Sequence, residues 1–102
     1  MEEKKNIGTQ KRKKHRSPEE KQLLVNRLNR IEGQVRGVRR LIEEDAYCPD
    51  VLVQVSATRA ALDSFSRTLL SEHIKSCVEH DIRAGKEGAA EELTALLQKM
   101  LK

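Results

Sequence analysis

Leu24, Leu28, Ile31, Val35, Val38 and Ile42 follow one another at alternating spacings of four and three. That period belongs to an amphipathic helix with a coiled-coil-like seam and predicts one helix over residues 18–44. Its start is well marked. Ser17 suits the N-cap, Pro18 the first helical position, and Glu20 completes a capping box. Gly33 and Gly37 lie inside the helix, four apart on one face. Each costs about 1 kcal/mol against Ala, so close approach by another helix is expected there.

Asp45-Ala46-Tyr47 is a short connector, and Cys48-Pro49-Asp50 opens a second helix with Pro49 at its first position. No Pro or Gly follows from Val51 to Ala84, and Val55, Leu62, Phe65 and Leu69 mark an apolar face. Gly85 is a natural stop. A third, short amphipathic helix runs from Ala89 to Leu101, carrying Leu93, Leu96, Leu97 and Met100. Residues 1–17 show no apolar periodicity and are expected to be a disordered basic arm. Residues 18–102 then form a single domain. Two long helices on a tight connector make an antiparallel hairpin, which is one layer with an apolar face left open. The expected architecture is all-α: a three-helix protomer whose hairpin pairs with a second copy in an antiparallel four-helix bundle.

Composition narrows the class. The chain has 102 residues, 35% charged and 2% aromatic, with no Trp. Leu, Ala, Glu, Arg and Lys replace the β-branched and aromatic residues of a sheet protein. No apolar run approaches the ~18 residues of a membrane span, and residues 1–18 lack the apolar core of a secretory signal. A cytoplasmic protein without a membrane partner is expected. Two cysteines in that setting stay reduced, so metal or thiol chemistry is favoured over a disulfide.

The net charge of +4 is unevenly placed. Residues 1–17 hold seven Lys/Arg and two Glu, residues 18–45 six of each sign, and residues 46–102 seven Lys/Arg and eight Asp/Glu. Within the balanced middle, Arg27, Arg30, Arg36, Arg39 and Arg40 crowd one helix, and Lys13, Lys14 and Arg16 lie just upstream. An ordinary solvated face, with Arg36 paired to Glu32 and Arg40 to Glu44, would account for part of the stripe. Stripe and arm together make a polycation suited to the phosphates of double-stranded DNA. Aromatic platforms for single strands are absent. No phosphate-cradling glycine loop, nucleophile elbow or paired catalytic carboxylates appear, so neither an enzyme nor a small-molecule substrate is expected.

His73 and Cys77 are four apart and share a helical face. Cys48 sits at a helix N-terminus, where the dipole favours an anion. If the helix is unbroken, Cys48 lies roughly 37 Å from His73 at 1.5 Å per residue. The two cannot share a metal within one chain. In a two-fold dimer with antiparallel long helices they can meet between chains, twice. Two thiolates and an imidazole suit Cu(I) best, Zn(II) with a fourth ligand, or Ni(II) if another nitrogen joins from His80 or His15. A metal-free thiol sensor is the alternative, although it has no need of His73.

Arg27-Leu28-Asn29-Arg30-Ile31-Glu32-Gly33-Gln34-Val35-Arg36-Gly37, then Tyr47-Cys48, then His73-x3-Cys77, resembles the copper-sensing operon repressors, the CsoR family of all-α bacterial metalloregulators. The resemblance spans about residues 18–101. It implies a dimer of dimers, a homotetramer, with one Cu(I) per protomer held by Cys48 of one chain and His73 and Cys77 of the other. It implies release of operator DNA on Cu(I) binding and derepression of copper-resistance and export genes. Tyr47 and a third-helix glutamate, Glu92 rather than Glu91, would support the ligands. Arg27 matches the family's first-helix arginine. Relatives on the same scaffold sense Ni(II)/Co(II) or reactive sulfur species, which is the alternative function.

Overall fold

The computed structural model describes residues 13–101, all helix and connector, with no strand among them. Helix α1 spans Pro18–Glu43 and starts as its sequence directs. The Ser17 hydroxyl accepts from the Glu20 amide at 3.1 Å, and the Glu20 carboxylate accepts from the Ser17 amide at 2.9 Å. These reciprocal bonds hold the Glu20 carboxyl below the usual carboxylate range, the backbone Ser17 N–H being the main cause.

A Schellman turn closes α1. The Ala46 amide donates to the Leu41 carbonyl at 2.9 Å and the Asp45 amide to the Ile42 carbonyl at 3.1 Å. Asp45 takes the left-handed position at φ 55°, where glycine is the usual occupant. Helix α2 spans Cys48–His73, with Tyr47 as N-cap. The helix therefore begins one residue before the expected Pro49, which occupies its second position.

Beyond His73 the rod does not stop. A π-turn covers Ile74–Val78 and leads directly into α3, Glu79–Arg83, with right-handed helical dihedrals at each junction. The sequence pattern indicated the unbroken rod but not its widened turn. A second Schellman turn ends it at Gly85, φ 75°, where the Lys86 amide donates to the Asp81 carbonyl at 2.9 Å. Helix α4, Ala89–Met100, then folds back onto the π-turn and α3.

Helices α1 and α2 form the expected antiparallel hairpin, with Arg27 reaching Ser64 and Thr68. Burial divides the α1 seam into two rows. Leu24, Ile31 and Val38, seven apart, are buried or half-buried, as are Val51, Thr58 and Phe65 on α2, also seven apart. Leu28, Val35 and Ile42 form the other row and are 42%, 50% and 61% exposed. Val55 and Leu62 on α2 are exposed as well. No large side chain among the described residues is fully buried. A heptad seam packs two rows, and the hairpin supplies a partner for only one of them.

The close approach expected at the two glycines is not made by a helix of the same chain among the described residues. A Cβ at Gly33 would meet only the Arg36 guanidinium, at 3.7 Å, and one at Gly37 would meet nothing within 4 Å. Among the described residues, no helix of the same chain approaches this face. Of the basic arm, residues 1–12 lie outside the described residues. Residues 13–17 are irregular but lie against the protein rather than free of it. No helix of the described residues is long and apolar enough to cross a membrane.

Candidate metal half-site and basic surface

His73 is the last residue of α2, and Cys77 lies within the π-turn. Both line one cleft of about 540 Å³ between the rod, α4 and the arm. Ser76 lies beside Cys77, outside the cleft lining. The Ser76 hydroxyl donates to the Glu72 carbonyl at 2.6 Å and lies 3.6 Å from Cys77 Sγ. Lys14 reaches in from the arm, its Nζ bonded to Ser76 Oγ and 3.5 Å from Cys77 Sγ. Arg16 Nε stands 3.9 Å from the Glu72 carboxylate. Both thiols are free, Cys48 exposed and Cys77 half-buried.

Cys48 is at the other end of the rod. The π-turn leaves the helix continuous, so 29 residues of rise separate Cys48 from Cys77, roughly 44 Å. The described residues accordingly contain no cluster of three His, Cys, Asp or Glu able to hold a metal. His73 and Cys77 are brought together, and Cys48 is held apart from them. Tyr47, beside Cys48, is 74% exposed.

The two glutamates of α4 part company. Glu92 lines the cleft that holds His73 and Cys77. Glu91 lies on another face of α4, with Ala90, Thr94 and Gln98. His80 and His15 are exposed, and neither lines the cleft.

The basic residues also divide. Arg27 is half-buried and turned onto α2. Its Nη1 donates to Thr68 Oγ1 at 2.9 Å, its Nη2 to Ser64 Oγ at 3.3 Å, and its guanidinium lies 5.5 Å from the Phe65 ring centroid. Arg30, Arg36, Arg39 and Arg40 are exposed on α1. Arg36 pairs with Glu32 at 3.3 Å, whereas among the described residues no ion pair joins Arg40 to Glu44. Lys13 and Lys14 are exposed at the cleft mouth, with Arg16 half-buried beside them.

Sequence reasoning singled out His73, Cys77 and Cys48 as candidates but not the closeness of Lys14, Ser76 and Glu72. The signal was the hairpin register. Arg27 lies opposite Ser64 and Thr68, and extending α1 backward in an antiparallel pair carries residues 14–16 toward the end of the rod that holds Ser76 and Cys77.

Comparison with known proteins places the chain among relatives of the same fold. The copper-sensing transcriptional repressor CsoR of Bacillus subtilis (strain 168) is 45% identical over 89 residues, covering 86% of this chain and 88% of that protein. The crystal structure of the copper-sensing repressor CsoR with Cu(I) from Geobacillus thermodenitrificans NG80-2 superposes with a TM-score of 0.83 at 42% identity, covering 88% of this chain and 95% of the other. The nickel-responsive transcriptional regulator InrS superposes at 0.69 with 40% identity, covering 85% and 96%. The family model described as metal-sensitive transcriptional repressor matches residues 20–99, from the first turn of α1 to the last turn of α4, and the chain belongs to that family.

Proposed function

We propose that this chain is a Cu(I)-sensing transcriptional repressor that binds double-stranded operator DNA in the cytoplasm. On binding Cu(I) it releases that DNA and derepresses copper-resistance and export genes. The observation that carries the reading is the split donor set. A thiol stands at one end of a continuous helical rod, and a thiol with an imidazole stands toward the other. Only a second copy, running antiparallel, can complete each half.

The donor chemistry fits. Two thiolates and one imidazole form a soft, three-coordinate set that suits a monovalent copper ion. The ion would be held by Cys48 of one protomer with His73 and Cys77 of its partner, one per protomer. Glu92 would tie α4 to the site through the free imidazole N–H, as metal-bound histidines usually require, and Tyr47 would flank Cys48. The exposed row of Leu28, Val35 and Ile42, with Val55 and Leu62, supplies the apolar surface for the homodimer. The homotetramer would be built from two such dimers.

DNA contact is assigned to Arg30, Arg36, Arg39, Arg40, Lys13, Lys14 and Arg16, with Arg27 contributing from its α2-bound position. Fluorescence anisotropy tests the reading under anaerobic conditions, with labelled DNA from upstream of the gene. Cu(I) at about one ion per protomer should weaken binding by about 10-fold or more, a coupling of ordinary size. Ni(II) should not, and Cys77→Ala should abolish the response. Tight DNA binding indifferent to Cu(I) would overturn it. A Ni(II) response is the second reading, favoured by the likeness to the nickel-responsive regulator and by His15, exposed next to the arm residue that reaches Cys77. In that case Ni(II) alone would release the DNA.

A further inference from the structure

The two ends of the rod carry opposite charge. Between Arg40 and Arg59 the chain has four acids, Glu43, Glu44, Asp45 and Asp50, and no Lys or Arg. These acids flank Cys48, all four are exposed, and no ion pair among the described residues reaches them. At the other end, the cleft that holds His73 and Cys77 is lined by Lys13, Lys14, Arg16 and Lys99 against two acids, Asp81 and Glu92. Lys86 pairs with Asp81 at 3.7 Å, and Arg16 faces Glu72 at 3.9 Å. No ion pair among the described residues reaches Lys13, Lys14 or Lys99. Each protomer therefore has an acidic tip around Cys48 and a basic cleft around Cys77.

Apolar burial alone does not choose how two such rods pair. Leu28, Val35 and Ile42 repeat every seven residues, so a slip of one heptad, about 10 Å, keeps the exposed row covered. A parallel pair would cover it too. Charge separates these arrangements. We infer that the acidic tip of each protomer docks on the basic cleft of a second, antiparallel copy, and that this charge match selects the orientation and register of the pair. In an antiparallel two-fold pair, tip meets cleft twice. In a parallel pair, tip meets tip and cleft meets cleft, and like charges brought together reject that arrangement. A one-heptad slip moves the charges by more than the Debye length of about 8 Å at physiological salt. Asp45 and Asp50 lie three and two residues from Cys48, so within about 11 Å of it. A docked tip thus carries the Cys48 thiol to the partner's His73 and Cys77. That consequence for the donors rests on the copper-repressor reading.

Charge reversal in the full chain tests this. A tip variant carries Glu43→Lys, Glu44→Lys and Asp50→Lys, and a cleft variant carries Lys13→Glu and Lys99→Glu. Circular dichroism confirms that both keep their helices. The two are mixed in denaturant, refolded anaerobically without metal, and weighed as intact assemblies by native mass spectrometry. In the mixture every tip finds a cleft of opposite charge only across unlike chains. Assemblies holding the two variants in equal number should make up about nine in ten of the total, against at most half by chance, whether dimers or tetramers form. At 1 M salt, where the Debye length is about 3 Å, the distribution should return toward chance. Each variant alone should bind Cu(I) about 10-fold more weakly than the wild type in competition with a chromophoric chelator. The mixture, and a single chain carrying all five changes, should recover wild-type affinity. If the mixture is random, the docking inference falls and the repressor reading stands. A random mixture in which the cleft variant also loses DNA affinity would give the cleft to phosphate instead. Selection unchanged at 1 M salt would place its cause in packing and overturn the charge match. If mixing is selective but the wild type binds no Cu(I), the copper reading falls and the docking surface stands.

Discussion

The Arg27 guanidinium donates to Thr68 Oγ1 at 2.9 Å, joining α1 to α2 across 41 residues of sequence. A second nitrogen reaches Ser64, and the plane lies over Phe65. Arg27 is thus a strut of the hairpin as well as a candidate phosphate ligand. Arg27→Ala should lower unfolding stability by about 1–2 kcal/mol in a denaturant titration, from two part-buried charged hydrogen bonds and a cation–π contact. Arg39→Ala, on an exposed side chain, should change stability by less than about 0.5 kcal/mol and reduce the salt slope of DNA binding by about one phosphate. A neutral effect of Arg27→Ala on stability would remove the strut assignment.

Separate half-sites make a complementation test possible. Cys48→Ala and Cys77→Ala should each bind no Cu(I) at the site. Mixed and refolded together, they should recover about a quarter of the wild-type capacity. Half of the dimers are then mixed, and each mixed dimer has one intact site and one doubly broken one. A site within one chain would recover nothing.

Two glycines should respond in opposite directions to alanine. Gly85 sits at φ 75°, where a Cβ is strained whatever the space, so Gly85→Ala should cost about 1–2 kcal/mol. Gly37 is helical, and a methyl group there would find nothing within 4 Å, so Gly37→Ala should gain about 1 kcal/mol. Thermal melts at fixed protomer concentration report both. A loss at Gly37 would mean that a second copy packs on that face.

The capping box gives a pH dependence. Glu20 has its folded pKa lowered by the Ser17 N–H, so its contribution to stability is present above the ordinary glutamate value. That contribution is lost as pH falls through the lowered folded value. The stability difference between wild type and Glu20→Gln should therefore shrink between neutral pH and about pH 3. Ser17→Ala should cost about 1 kcal/mol at neutral pH. A difference that grows on acidification would contradict the cap.

Much of the local structure was legible because its causes are local. The Ser17-Pro18-x-Glu20 signal set the start of α1, Gly85 the end of the rod, and the apolar spacing both long helices. The separation of the candidate metal donors was legible because a rigid helix converts 25 residues into a distance, which parts Cys48 from His73 before any coordinates are known. The seam could not be divided from sequence. Leu28 and Ile31 belong to one periodic pattern, and only packing against α2 decided which of them is covered. The π-turn was hidden too, since Ile74–Val78 has no residue that distinguishes a widened turn from an ordinary one.

The sequence by itself determined the helices, their hairpin and the separation of the candidate donors, because capping, periodicity and helical rise act over a few residues at a time. Tertiary structure alone decided that Arg27 turns inward, that Glu92 and not Glu91 faces the cleft, and that Lys14 meets Cys77. Those three relationships depend on the register between elements far apart in the chain. That register is set by how the faces of neighbouring helices fit, which no single stretch of sequence encodes.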